Sequence, residues 1–178
     1  MTSFVEQLNL ILSLGIIALQ MSACFVFLLF LFKKKHPVLR LIRKYGLLIV
    51  FALSLLGAVM TLVYSEVFGF VPCSLCWLQR VFLYSQVVVV GIALVKREQV
   101  AMVADYLIGL SVFGAVVALY QHLLQVGERD LVGCPVSGGD CSQRILFEFG
   151  YITFPLMAFT LFAAITVFML AARRVRTS

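Results

Sequence analysis

The twenty residues YGLLIVFALSLLGAVMTLVY, numbers 45–64, carry no charge. At 1.5 Å per helical residue such a run reaches across about 30 Å, the hydrocarbon thickness of a bilayer. Inside lipid the backbone has no water to bond, so a crossing is either a helix or part of a closed barrel. This run is continuously apolar and does not alternate with period two, which excludes a barrel strand and leaves the helix. Two more uncharged runs, Leu8 to Phe32 and Tyr151 to Ala172, have the same character. A further two hold one charge near an end: Leu75 to Val95 contains Arg80, and Ala101 to Tyr120 contains Asp105. The composition agrees, with 63% AVILMFWYC and 12% DEKR over 178 residues. A soluble domain has about 45–50% and about 25%. The expected fold is an all-α integral membrane protein with five crossings in one bundle.

The net charge of +6 invites a nucleic-acid reading until the cations are placed. Eleven of the fourteen lie in three places: the connection KKKHPVLRLIRK (33–44), the turn at Lys96 and Arg97, and the tail with Arg173, Arg174 and Arg176. Five crossings put all three on one face. The positive-inside rule assigns that face to the cytoplasm, with the N-terminus and the other two loops outside, and no nucleic-acid partner is expected. The first run has 25 residues, longer than the 7–15 of a signal-peptide core, and no cation precedes it, so it is expected to be a retained helix. From Gln121 to Gly150 the composition turns polar and turn-rich, which marks one substantial outer loop.

Five cysteines are sorted by this topology. Cys24 falls inside the first run and is expected to be a small buried apolar side chain with an inert thiol. Cys73 and Cys76 form a C-x-x-C at the outer end of the third helix, while Cys134 and Cys141 lie in the outer loop. Both pairs thus reach the face where disulfides persist. Pro72 suits the first helical position, so both C-x-x-C cysteines are expected in the first turn, where the helix dipole favours the attacking thiolate. The loop that a C-x-x-C disulfide closes is too short to stabilise the chain much, which favours redox work over stapling. For Cys134 and Cys141 alone a structural staple is equally consistent. Haem attachment would need His after Cys76, where Trp77 stands, and a zinc site built from all four cysteines would need a shorter second spacing than the PVSGGD between Cys134 and Cys141. A Cys-rich metal-binding membrane protein and a structural protein with inert disulfides are the rival readings.

Arg80 lies four residues beyond Cys76, on the same helix face and about 6 Å deeper. It either stabilises a thiolate or binds the carbonyl of a quinone-like acceptor, or it snorkels to the interface. His122, at the outer end of the fourth helix, is a candidate donor for the same pocket. Trp77, the only tryptophan, suits the interfacial belt.

PCSLCWLQR at 72–80, YQHLLQ at 120–125, the loop cysteine pair and FGYITFP at 149–155 together resemble the DsbB/BdbC family of membrane disulfide-forming proteins. The resemblance covers about 45–172. It implies a four-helix core, residues 45–178 with a redox loop at 121–150, preceded by an extra transmembrane helix and basic cytoplasmic loop at 1–44. It also implies a bacterial cytoplasmic (inner) membrane protein that oxidises a DsbA-like thioredoxin-fold partner and passes electrons to the quinone pool, ubiquinone or menaquinone. By motif position Cys134 and Cys141 resemble the pair that receives electrons from the partner. Cys73 and Cys76 resemble the pair beside the quinone, with Arg80, His122 and Trp77 as its cofactor-binding residues. The vitamin K epoxide reductase type places its loop cysteines before the C-x-x-C, whereas here they follow it.

Overall fold

The computed structural model describes residues 3–32, 36–127 and 140–174. Within them the chain forms five helices: α1 (Ser3–Phe32), α2 (Pro37–Leu62), α3 (Ser74–Val95), α4 (Val100–Val126) and α5 (Phe154–Arg174). All five are long and apolar enough to cross a membrane. This is an all-α, multi-pass membrane architecture, with the five crossings that the runs predict.

The helices are longer than the apolar runs at several ends. Helix α2 begins at Pro37, whose fixed φ suits a first turn, and His36 caps it by accepting the Val38 N–H at Nδ1. Arg40, Arg43 and Lys44 therefore lie on the helix and not in a loop. At its other end α2 runs on into a single π-helical turn, Val63–Val67. Helix α4 continues six residues past Tyr120, to Val126, because the amides of Gln121 and Gln125 find partners that keep the extra turns in the bundle.

Helix α5 is the hub, packed against α4, α1 and α2. Its residues Ala164, Ile165, Phe168, Met169, Ala171 and Ala172 join Leu39, Val50, Val90, Ala104 and Leu107 in the main apolar core. Small residues let the helices approach closely: a Cβ on Gly114 of α4 would meet the Phe162 ring at 2.6–2.8 Å. Large apolar side chains such as Phe4, Met21, Val88 and Phe113 lie on the outside, where a membrane protein meets lipid tails.

Polar rungs tie the helices across this apolar interior. Ser54 of α2 donates to Gln86 Oε1 (3.4 Å), and the Gln86 amide donates to Ser111 Oγ of α4 (2.8 Å). The hydroxyl of Tyr64 donates to Asn9 Oδ1 and Gln20 Nε2 to Thr160 Oγ1, which joins α1 to the others. In hydrocarbon the alternative to such bonds is an unsatisfied polar group, so each rung fixes helix register. Asp105, the one acidic residue of the fourth run, pairs with Arg173 of α5. Both are more than half exposed, so the pair adds little stability.

At the end of the bundle that holds the C-x-x-C, the chain enters α5 through a tight turn. Phe149 (φ 52°) and Gly150 (φ 76°) both adopt the left-handed region, and Glu148 and Ile152 bond to each other in both directions (3.0 and 2.9 Å). Glycine occupies this conformation without strain. The turn delivers Thr153 to the start of α5, where its Oγ1 accepts the Leu156 N–H.

Candidate redox site

Helix α3 starts two residues later than Pro72 at the first helical position would give. Ser74 is its first residue, Cys73 is the N-cap and Pro72 stands outside. The reason is that the Cys73 side chain serves as the cap, with Sγ accepting the Cys76 N–H at 3.3 Å. The two thiols are free, and their sulfurs lie 2.7 Å apart. The pair is thus placed for a disulfide to form between its two sulfurs.

Burial and the side-chain hydrogen bond to Cys76 push the Cys73 thiol up from its ordinary range, with the Cys76 bond the larger cause. This outweighs the backbone N–H donors of the first turn, which act the other way. The helix terminus alone therefore does not make Cys73 a thiolate.

The sulfurs are held from the neighbouring helix. The carboxamide nitrogen of Gln121 on α4 donates to Cys73 Sγ at 3.1 Å and to Cys76 Sγ at 3.2 Å. Its Oε1 accepts from Gln79 Nε2 at 2.6 Å, which fixes the face the carboxamide presents to the cysteines. Gln79 and Gln121 are both buried. One turn further along α4, Gln125 Nε2 donates to the carbonyls of Gln143 (3.0 Å) and Cys141 (3.4 Å). Arg144 Nε in turn donates to the Gln125 carbonyl. Cys141 is almost wholly buried and disulfide-bonded, and its Sγ lies 3.8 Å from Ser74 Oγ, between the two C-x-x-C cysteines in sequence. Cys134 lies outside the described residues.

The remaining candidates fall around this cluster. Arg80 is only 7% exposed, which rules out snorkelling; its Nη2 donates to the Thr61 carbonyl of α2 at 2.7 Å. Its guanidinium also lies over the ring of the exposed Trp77, 5.1 Å from the centroid. His122, next to Gln121, is not at the sulfurs: its Nδ1 shares a 2.8 Å hydrogen bond with Thr153 Oγ1. Cys24 lies apart from the site but is not buried as its place inside the first run suggested: it is exposed on α1, on a side that the other helices leave uncovered.

Sequence reasoning missed Gln79, Gln121 and Gln125. A carboxamide belongs to no catalytic motif, yet three glutamines at the end of two apolar helices, two of them at i and i+4, are a signal: polar groups at that depth need partners on another helix.

The description "Disulfide bond formation protein DsbB" belongs to a family model that matches residues 43–172. This chain belongs to the DsbB family. The SPbeta prophage-derived disulfide bond formation protein B of Bacillus subtilis is 36% identical over 118 residues, 66% of this chain and 78% of that relative. Disulfide bond formation protein C of the same organism is 33% identical over 132 residues, 73% of this chain and 91% of the relative. A probable disulfide formation protein of Metapseudomonas resinovorans is 31% identical over 130 residues, covering 72% and 89%. No solved structure matches the chain. The DsbB match begins at Arg43 and takes in α3, α4, most of α2 and nearly all of α5, so α1 lies outside it. As a DsbB-family member the protein is a multi-pass membrane disulfide bond formation protein.

Proposed function

We propose that this protein is a membrane thiol oxidase that reoxidises a thioredoxin-fold disulfide donor and passes the electrons to a membrane quinone. Cys73, Cys76, Cys134 and Cys141 carry the exchange. The observation that carries the reading is the meeting of Cys141 with Ser74, which puts a cysteine of the polar segment against the turn that holds Cys73 and Cys76. Residues 45–178 form the working core, and 1–44 add a further helix.

In the first step a partner thiolate attacks the Cys134–Cys141 disulfide at Cys134, and the partner's second thiol resolves the mixed disulfide. The partner leaves oxidised and the loop pair is reduced. The loop dithiol next reduces the Cys73–Cys76 disulfide and is itself reoxidised, two electrons and two protons passing to the C-x-x-C. Each exchange needs a thiolate and in-line access to sulfur.

A quinone fits the residues around Cys76. Arg80 is a buried guanidinium without a carboxylate partner among the described residues, and its remaining donors suit a carbonyl oxygen. Trp77 offers a ring face beside it, and His122 keeps Nε2 free of the Thr153 bond. When bound, a quinone accepts the two electrons and two protons whose removal restores the Cys73–Cys76 disulfide. Arg80, His122 and Trp77 would hold it. Ubiquinone and menaquinone share this carbonyl chemistry.

The segregation of cations supports a bacterial cytoplasmic membrane with the cysteine end, like the N-terminus, outside and the C-terminus in the cytoplasm. The deciding experiment is oxidation of a reduced DsbA-like protein by the purified chain, with and without added quinone. Catalytic oxidation that requires quinone is expected; none with either quinone would refute the reading.

A further inference from the structure

We infer that Gln121 makes the Cys73–Cys76 pair a stronger oxidant by holding its reduced form. This rests on the reading of that pair as redox-active. One carboxamide reaches both sulfurs, at 3.1 and 3.2 Å, while Gln79 holds the carboxamide's own oxygen at 2.6 Å. Gln121 is 1% exposed, so no water replaces those partners. A sulfur in a disulfide carries less negative charge than a thiol or thiolate and accepts a hydrogen bond poorly. Oxidation therefore leaves two buried N–H donors facing weak acceptors, a state that costs free energy. The cost falls on the disulfide and favours the dithiol. A dithiol stabilised in this way makes its disulfide a stronger oxidant. In the proposed relay, electrons are thereby drawn from the loop pair onto the C-x-x-C.

Gln121 is a positioning residue in this scheme: it exchanges no electrons and binds both groups that do. Gln79 acts one step further back by setting the orientation of the carboxamide. The other titratable or charged groups nearby have their own places. Arg80 bonds the Thr61 carbonyl, His122 is turned to Thr153, and Cys141 is already disulfide-bonded.

The test is a redox titration of the full-length, quinone-free protein against glutathione, read by alkylation and mass analysis of the peptide holding Cys73 and Cys76. The balanced reaction is C-x-x-C disulfide plus two reduced glutathiones giving C-x-x-C dithiol plus oxidised glutathione. Gln121→Met keeps volume but removes both donors, and should lower the equilibrium constant about ten- to hundredfold, as expected for loss of one or two sulfur hydrogen bonds. That corresponds to about 30–60 mV. Gln121→Glu keeps length but faces the sulfurs with acceptors, and should fall at least as far, which packing alone does not predict. Gln79→Leu leaves Gln121 in place but unoriented and should show a smaller fall. Constants equal to wild type in Gln121→Met and Gln121→Glu would overturn the inference; if those variants do not fold, an unchanged Gln79→Leu overturns it instead. A wild-type pair that never forms a disulfide in this titration would refute the redox reading itself.

Discussion

Ser74 and Cys141, 67 residues apart in sequence, meet with Oγ and Sγ 3.8 Å apart. The contact is held from α4: Gln125 bonds the carbonyls of Cys141 and Gln143, and Arg144 returns a bond to the Gln125 carbonyl. Gln121 and Gln125, one helical turn apart, thus grip the C-x-x-C and the Cys141 segment from one face of one helix. In the proposed relay, two groups that exchange a disulfide gain from such fixed spacing, because small displacements of reacting atoms are costly in rate.

Gln125→Leu should accordingly leave attack by the partner intact and slow the hand-off between the two cysteine pairs about tenfold. The loss of one or two backbone-directed bonds, each about 0.5–1.5 kcal/mol, sets that scale. Rapid alkylation quench during turnover should show the loop pair accumulating in its reduced form. Equal steady-state reduction of both pairs would mean that the contact is not the exchange geometry.

The Cys73 thiol is pushed above its ordinary range by Cys76 and by burial. A raised thiol stays protonated as pH rises through the usual thiol range near 8.5, and reacts as a thiolate only beyond it. In the reduced protein, alkylation at Cys73 should therefore be slow at neutral pH and climb only in alkali. Cys76→Ala removes the larger cause, so the climb should move to lower pH. Peptide mass analysis across a pH series checks both; a Cys73 profile unmoved by Cys76→Ala would assign the shift to burial alone.

The five crossings were legible because each is a long apolar run and lipid permits no other solution. The meeting of Cys73 and Cys76 was legible because C-x-x-C at a helix start fixes its own geometry. Helix ends were less so: Pro72 promised the first helical position, but the sulfur of Cys73 proved the better cap. The grip on the cysteines could not be read from local pattern, since Gln79, Gln121 and Gln125 acquire their partners only when α3 and α4 pack. Similarly, His122 stands next to Gln121 in sequence, yet a rotation of one residue about the helix turns it to Thr153.

Packing makes its own prediction at Gly114. A Cβ there would sit 2.6–2.8 Å from the ring of Phe162, itself 1% exposed and unable to swing into free space. Gly114→Val should force α4 and α5 apart and cost about 1–3 kcal/mol, the usual penalty for overpacking. Thermal unfolding in detergent should report the loss. Phe162→Leu in the same chain should recover part of it, and a Gly114→Val protein as stable as wild type would place the two helices farther apart than described.

Topology is testable at two exposed positions on opposite ends of the bundle, Asp140 before Cys141 and Lys96 in the turn between α3 and α4. In a chain freed of native cysteines, Asp140→Cys should react with a membrane-impermeant maleimide in intact cells. Lys96→Cys should react only after lysis, since the positive-inside rule assigns the Lys96–Arg97 turn to the cytoplasm. The reverse pattern would put both cysteine pairs in the reducing compartment and end the proposed function.

Arg80 separates quinone use from thiol exchange. Its guanidinium is buried, bonded to the Thr61 carbonyl and stacked on Trp77, so its charge is fixed one helical turn below Cys76. Exchange between the cysteine pairs needs thiolates and access, and no cation at that depth. Arg80→Gln should therefore raise the apparent KM for quinone while leaving exchange between the pairs near its normal rate. A charge-assisted hydrogen bond is worth about 1.5–3 kcal/mol, which sets the increase at about 10- to 100-fold. Arg80→Lys keeps the charge but loses the planar fork that can bond Thr61 and a carbonyl oxygen together, so a KM close to that of Arg80→Gln would show that geometry matters more than charge. An unchanged quinone dependence in Arg80→Gln would reduce the residue to a tie between α3 and α2, and would move the quinone site away from Cys76.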